Sequence, residues 1–246
     1  MSGKSSTEVH ILAGSAILEG TLTVPEDSQG LVLFAHGRGS SRRSTRSRFV
    51  ADRLNDRRMG TLLLDLFTAQ EGELDARTAE LRFDIELLAS RLTSAVDWVS
   101  RRPPLTRARL GLFCASTGTA SALITATERA DVIHAVVSRG GRPDLAGSVL
   151  ARVQAPTLLI VGAEDTRTVR LNRKAASPMQ ARVELRVIPG ATHLFAEPGA
   201  LETVAELTTA WFLRHLGPAQ PSEAAAHSAA LSAACAASAM ARREIP

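Results

Sequence analysis

The sequence has few cysteines, few aromatic residues and no tyrosine. Its 246 residues include only two cysteines, Cys114 and Cys235, in unrelated contexts, which excludes a disulfide framework and a cysteine-rich zinc site. Aromatic residues make up 4% of the chain, so a nucleic-acid groove lined by stacking rings is not expected. With 45% hydrophobic residues, the composition is typical of one globular domain.

Strong charge and long apolar runs are also missing. The 29 basic and 25 acidic residues leave a net charge of +4, which is a weak field for attracting nucleic acid. No run approaches the ~18 apolar residues of a membrane helix, and the first residues lack the pattern of a signal peptide. We therefore expect a cytoplasmic protein with no nucleic-acid or membrane partner.

The order of apolar segments predicts an α/β fold. Residues 7–13 and 16–25 alternate in polarity around Gly14 and Ser15, which predicts an antiparallel hairpin. From residue 31 onward, short apolar runs alternate with longer amphipathic segments, the pattern of βαβ units. The runs are apolar on both faces, so we expect a mostly parallel, doubly wound sheet with an antiparallel N-terminal edge. The predicted strands span 31–36, 61–67, 109–116, 133–138, 157–162 and 183–189, and the predicted helices span 45–59, 76–102, 117–129, 167–176 and 200–216.

The connections between these segments are short, and the composition changes near residue 217. No connection is long enough for a separate cap domain, so the site should be open at the carboxyl ends of the strands. We predict one domain over residues 1–217 and an Ala/Ser-rich tail over 218–246 that is disordered or weakly helical. A tail helix that docks on the domain or on a second copy is the alternative, and we expect a monomer or a homodimer.

The segment RLGLFCASTGTA, residues 109–120, has the form of a nucleophile elbow. Such a strand-to-helix turn needs small residues two positions before and after the nucleophile. Cys114 and Gly118 meet this need around Ser116. A nucleophilic Cys114 would place the bulky Leu112 at one of these positions, so Ser116 is the predicted nucleophile.

A serine nucleophile needs a base and an acid that orients it. Strand 157–162 is followed by Glu164 and Asp165, and the last strand by a loop that contains His193. We assign Asp165 as the acid, with Glu164 as the neighbouring alternative, and His193 as the base. The other histidines lie in predicted strands, at a helix end, in the tail or in the loop after the first parallel strand: His10, His134, His215, His227 and His36.

The loop after the first parallel strand, HGRGS, predicts the second part of an oxyanion hole. In this kind of fold one donor is the amide after the nucleophile, and the other comes from this loop. We assign the amides of Thr117 and Arg38, with Gly37 as the adjacent option, and interpret His36 as structural. Gly37 and Arg38 are also the predicted substrate-binding residues.

The side chain of Arg38 supports a hypothesis about the substrate. Its guanidinium would point over the open site and, with Arg42 and Arg43 nearby, favour substrates that carry a carboxylate. The alternative is that all three arginines are solvated.

Four segments together resemble the α/β-hydrolase superfamily, and within it the dienelactone hydrolase-like branch: LVLFAHGRGSSRRS, LGLFCASTGTA, LLIVGAEDT and PGATHLF. The similarity covers about residues 8–216. It implies an α/β-hydrolase fold, a Ser116–Asp165–His193 triad and no cofactor. It also implies a serine hydrolase of the carboxylesterase type that cleaves a small-molecule ester through an acyl-enzyme. A thioester or a lactone as the cleaved bond stays open as an alternative.

Two other classes of function remain as alternatives. Gly37-Arg38-Gly39 follows a strand and Asp65 ends the next one, which half-fits a dinucleotide-binding oxidoreductase, but Arg42 stands where a third glycine is needed. A non-catalytic scaffold of this fold that binds a small ligand is the second alternative. Metal catalysis is not expected, because no clustered His and carboxylate spacing is present.

Overall fold

The computed structural model describes residues 5–35, 42–103 and 105–217. An eight-stranded sheet runs through this part of the chain in the order β1-β2-β4-β3-β5-β6-β7-β8. Strand β1 pairs antiparallel with β2, and β2 pairs antiparallel with β4, while all other neighbours are parallel. The predicted doubly wound sheet with an antiparallel N-terminal edge is confirmed. The strands are Ser5–Ala13 (β1), Ala16–Val24 (β2), Leu31–Ala35 (β3), Gly60–Leu64 (β4), Leu110–Ala115 (β5), Ile133–Arg139 (β6), Thr157–Gly162 (β7) and Val183–Ile188 (β8).

Helices cover both faces of the sheet. The α-helices are Thr45–Asn55 (α1), Ala69–Thr78 (α2), Ile85–Ser100 (α3), Gly118–Glu128 (α4), Thr166–Ala176 (α5) and Ala200–Leu216 (α6). The connection from β6 to β7 contains only a 3-10 segment, Pro143–Arg152. No helix among the described residues is long and apolar enough to cross a membrane.

The sheet separates two apolar cores. One core packs α3 and α4 against alternate residues of the strands, together with the inner face of the β1–β2 hairpin. The other core packs α1 and α6 against the opposite face, where the rings of Phe34 and Phe113 lie 4.8 Å apart. Every residue of β3, β4, β5 and β7 is buried, which explains why these strands read as continuous apolar runs.

The expected helix over 76–102 is wrong in its boundaries. Helix α2 ends at Thr78, and its C-cap residue Ala79 has a left-handed backbone with φ of 60°. A 3-10 turn, Leu81–Phe83, then precedes α3. Asp84 then caps α3 by accepting the amide of Leu87. The left-handed residue and the new N-cap divide the segment into two helices, because a helix cannot continue through φ above zero.

Strand β8 forms one edge of the sheet, and it contains the charged residues Glu184 and Arg186. Glu184 accepts hydrogen bonds from Arg182 at 2.7 Å and from Arg186 at 2.9 Å. Arg214 of α6 approaches the same carboxylate at 3.8 Å. This edge therefore carries a cluster of ion pairs.

The described residues up to Leu216 form one compact unit. The predicted tail over 218–246 lies outside the described residues.

Candidate active site

Ser116 occupies a strained turn between β5 and α4. Its φ of 52° lies in the left-handed region, which a residue with a side chain adopts only at an energetic cost of roughly 1–3 kcal/mol. The Ser116 carbonyl accepts the amides of Thr119 at 3.2 Å and Arg142 at 2.9 Å. These two hydrogen bonds hold the turn in place, as the predicted elbow at Ser116 requires.

The loops after β7 and β8 bring an acid to a histidine. The Nδ1 of His193 and a carboxylate oxygen of Asp165 are 2.6 Å apart. The other carboxylate oxygen of Asp165 accepts the amide of Thr168 at 3.1 Å and caps α5. Glu164 is exposed, and its amide donates to Ala191. Asp165, and not Glu164, is therefore the acid in contact with His193.

A glycine permits the two loops to meet. A Cβ at Gly162 would lie 2.3 Å from the carbonyl oxygen of Ala191, which is closer than any side chain allows. The absence of a side chain at the end of β7 thus lets the loop with Asp165 touch the loop with His193.

The loop after β6 links His193 to Ser116. The position of a Cβ on Gly140 would be 3.5 Å from Cε1 of His193, and the residue's φ is 55°. Two residues later the amide of Arg142 donates to Ser116. His193 and Ser116 therefore lie on either side of one short loop at the carboxyl edge of the sheet.

Electrostatics keep Asp165 ionised. Burial raises the pKa of its carboxyl, but hydrogen bonds from Thr168 and His193 together lower it more, so the net pKa is below its ordinary value. An ionised carboxylate on Nδ1 holds the proton there and leaves Nε2 of His193 free to accept one.

Thr117 is the N-cap residue of helix α4, directly after the elbow. The residue is buried, and its φ of −64° is helical. Within the described residues its amide meets no acceptor. It can therefore donate to an oxygen that develops negative charge beside Ser116. The other predicted donors, Arg38 and Gly37, and His36 lie outside the described residues.

The side chain of Cys114 is buried within the sheet. The thiol is fully buried and donates to the carbonyl of Val137 at 3.2 Å. Burial raises its pKa to about 12, despite hydrogen bonds with Thr119 and Ser138. A thiol with this pKa is protonated at neutral pH and a weak nucleophile.

Arg42 is neither solvated nor available to a substrate carboxylate, because three acids surround its guanidinium. Its guanidinium lies 2.6 Å from both Glu19 and Asp65 and 3.3 Å from Glu8. The amide of Arg42 also donates to Asp65 at 2.6 Å. Arg42 thus ties the hairpin to the end of β4. Asp65 is the acid that would bind the ribose of a dinucleotide in the oxidoreductase alternative. Here both of its carboxylate oxygens accept hydrogen bonds from Arg42 instead.

Sequence reasoning missed Arg139 and Arg46. Arg139 ends β6, is only 8% exposed, and its Nε and Nη1 have no hydrogen-bond partner. The buried Nε of Arg46 in α1 has none either. The sequence signal for Arg139 is a charged residue at the end of the apolar run IHAVVSR. No group of three His, Cys, Asp or Glu residues among those described could hold a metal ion.

Solved structures of other proteins share this fold. A dienelactone hydrolase from Anabaena variabilis is 49% identical, with a TM-score of 0.84 over 86% of this chain and 98% of that one. An esterase from Pyrococcus furiosus is 18% identical, with a TM-score of 0.65 over 87% of this chain and 94% of that one, and this likeness concerns the fold alone.

Curated relatives are longer than this chain. A Mycobacterium tuberculosis protein named as a phosphoribosyl transferase is 50% identical over 212 residues, which are 86% of this chain and 47% of that protein. The chain thus spans about half the length of the curated relatives it matches. The dienelactone hydrolase family model matches residues 25–231. With a strained serine elbow and an Asp–His pair on the fold of the Anabaena enzyme, the chain belongs to the dienelactone hydrolase family.

Proposed function

We propose that this hydrolase cleaves a carboxylic ester with Ser116 as its nucleophile. The observation that carries the proposal is the 2.6 Å contact of Asp165 with His193, one loop away from a serine held at positive φ. Membership of the dienelactone hydrolase family supports a hydrolase of this kind.

The first half of the reaction forms an acyl-enzyme. The Oγ of Ser116 attacks the ester carbonyl carbon while Nε2 of His193 takes the hydroxyl proton. The Asp165 carboxylate stabilises the imidazolium, and the Thr117 amide donates to the oxyanion of the tetrahedral intermediate. The intermediate collapses as the carbon–oxygen bond to the alcohol breaks, and His193 returns its proton to the leaving oxygen.

The second half releases the acid. A water molecule gives a proton to His193 and attacks the acyl carbon, and the second tetrahedral intermediate expels Ser116 Oγ, which regains its proton. Gly37 and Arg38 supply the remaining oxyanion donor and substrate contacts in this proposal. The chemistry needs no cofactor.

The bond type within the ester class is part of the proposal. A thioester or a lactone presents the same carbonyl carbon to Ser116, so a panel of 4-nitrophenyl esters, thioesters and lactones separates them. The transferase name belongs to a relative of about twice this length, and the Asp–His pair supports hydrolysis in this chain.

The test is covalent labelling. A fluorophosphonate probe should modify Ser116, located by mass spectrometry, and Ser116→Ala should lose labelling and about 10⁴- to 10⁶-fold in ester turnover. Circular dichroism checks that the variant folds. More than a tenth of wild-type activity in Ser116→Ala would show that another residue is the nucleophile. An unlabelled wild type that turns over no ester would favour the non-catalytic scaffold.

A further inference from the structure

Among the described residues, no acid pairs with the buried guanidinium of Arg139. Burial and, to a smaller extent, the nearby positive charge of Arg46 together lower its pKa to about 10. A buried, unpaired guanidinium is expensive, and two of its nitrogens lack an acceptor. Such a group is more easily explained by a ligand than by the stability of the fold.

The strand directs this side chain toward the histidine loop. Ser138 points to the α4 face, where it bonds with Thr119, so Arg139 points to the α1 and α6 face by the alternation of a strand. Its guanidinium carbon lies 6.0 Å from the ring of Phe195, two residues after His193. In the sheet register Arg139 stands opposite Ala115, which precedes Ser116.

Helix α1 adds positive charge at the same corner. Arg46 is in its first turn, which contains no acidic residue. The N-terminus of a helix carries a partial positive charge of about half an elementary charge and attracts anions. The two guanidinium groups and this helix end together favour an anion.

Resting on the proposed ester hydrolysis, we propose that Arg139 and Arg46 bind a dianionic phosphoryl group carried by the substrate. A carboxylate would cancel one of the two positive charges, whereas a phosphoryl group, whose second pKa is about 6, cancels both above neutral pH. Its oxygens can also accept from more than one guanidinium nitrogen at once.

Binding is measured first, without any reaction. Calorimetric titration of the Ser116→Ala protein with inorganic phosphate at pH 8 should give saturable binding that acetate does not give. Arg139→Met, which keeps an apolar stem of similar length, should abolish it. Arg129→Met is the matched control, because Arg129 is paired with Asp97 at 2.7 Å, and it should bind phosphate as before.

Kinetics then connect the subsite to the substrate. For 4-nitrophenyl 4-phosphonobutyrate, Arg139→Met should lower kcat/KM by roughly 10- to 150-fold, as expected for a lost charge-assisted contact. For 4-nitrophenyl butyrate the value should change little, and Arg139→Lys should recover part of the loss. The 4-nitrophenyl monoester of succinate tests a single carboxylate.

Three outcomes would overturn the subsite. These are an absence of phosphate binding, a preference for the succinate ester over the phosphonate, and an equal loss on charged and neutral esters in a folded Arg139→Met. Phosphate binding that depends on Arg139 in a protein that hydrolyses no ester would support the subsite and refute the ester proposal.

Discussion

The carboxylate of Asp165 divides its two oxygens between two tasks. One oxygen caps α5 through the Thr168 amide, and the other holds Nδ1 of His193. The first contact fixes the carboxylate, so the second can fix the imidazole in one orientation and one tautomer. Single hydrogen bonds of this kind decide whether His193 can act as a base.

Asp165→Asn should lower kcat/KM by about 10³- to 10⁴-fold, because an amide stabilises the wrong tautomer of His193. The measurement is steady-state hydrolysis of a 4-nitrophenyl ester at pH 8, with circular dichroism to check the fold. Glu164→Gln is the control and should leave kcat/KM nearly unchanged. A larger loss in Glu164→Gln would identify Glu164 as the orienting acid.

Cys114→Ala should keep most of the ester activity, because the thiol is buried and its pKa is about 12. A thiol-blocking reagent should accordingly inhibit the wild type only weakly. The substitution should cost about 1 kcal/mol of unfolding free energy for the small cavity it leaves. A folded but inactive Cys114→Ala would transfer the role of nucleophile to the cysteine.

The prediction of Ser116, Asp165 and His193 as site residues rests on local signals, since each follows a strand whose carboxyl end is easily found. The contact between Asp165 and His193 joins loops after two different strands, and only the structure distinguishes Asp165 from Glu164. The sequence also could not predict that two nitrogens of Arg139 lack a hydrogen-bond partner, or that Arg42 forms ion pairs. Whether a charged residue has a partner depends on residues distant in sequence.

At the scale of elements, Glu71 joins helix α2 to helix α3. It completes a capping box with Thr68, and its carboxylate accepts two hydrogen bonds from Arg91, at 2.5 and 2.7 Å. Arg91 also donates to the carbonyl of Leu66. The contact with Arg91, together with those from Thr68, lowers the pKa of Glu71 from 4.5 to about 2.

Glu71→Gln should therefore destabilise the protein in a pH-dependent manner. The folded pKa lies below the unfolded one, so the ionised carboxylate stabilises the fold above about pH 4.5, and this contribution is lost as the pH falls toward 2. Because Glu71 is partly exposed, we expect only about 1–2 kcal/mol at pH 7. Urea unfolding at pH 7 and at pH 3 measures the change.

Glu73→Gln is the control, since Glu73 is an exposed residue of the same helix, and it should have little effect at either pH. A loss in Glu71→Gln that is equally large at pH 3 and pH 7 would show that shape, not charge, explains the role of Glu71.

Strands were predicted more accurately than helices. Buried strands such as β3 and β7 are short apolar runs, and their bounds follow from the run itself. The predicted helix over 76–102 was wrong because it combined the end of α2 with α3. The two helices are separated at Ala79, whose left-handed conformation cannot be predicted from an alanine side chain. The capping residues Thr68 and Asp84 were visible in the sequence, and they mark where α2 and α3 begin.

For the whole molecule, the candidate site and both apolar cores lie within residues 5–217. Deleting residues 219–246 should leave ester turnover and melting temperature nearly unchanged, because that segment is rich in alanine and serine and offers few large side chains to a core. Thermal denaturation and light scattering test this. A fall of several degrees in Tm or a change in oligomer mass would instead indicate a docked tail.

The charged edge at β8 limits how the sheet can grow. An open strand edge is a template on which another chain can add a strand, and repeated addition leads to fibres. At β8 an incoming strand would have to cover the cluster of Arg182, Glu184 and Arg186 and strip water from it. The ion pairs of this edge thus make the addition of a strand from another copy energetically costly there.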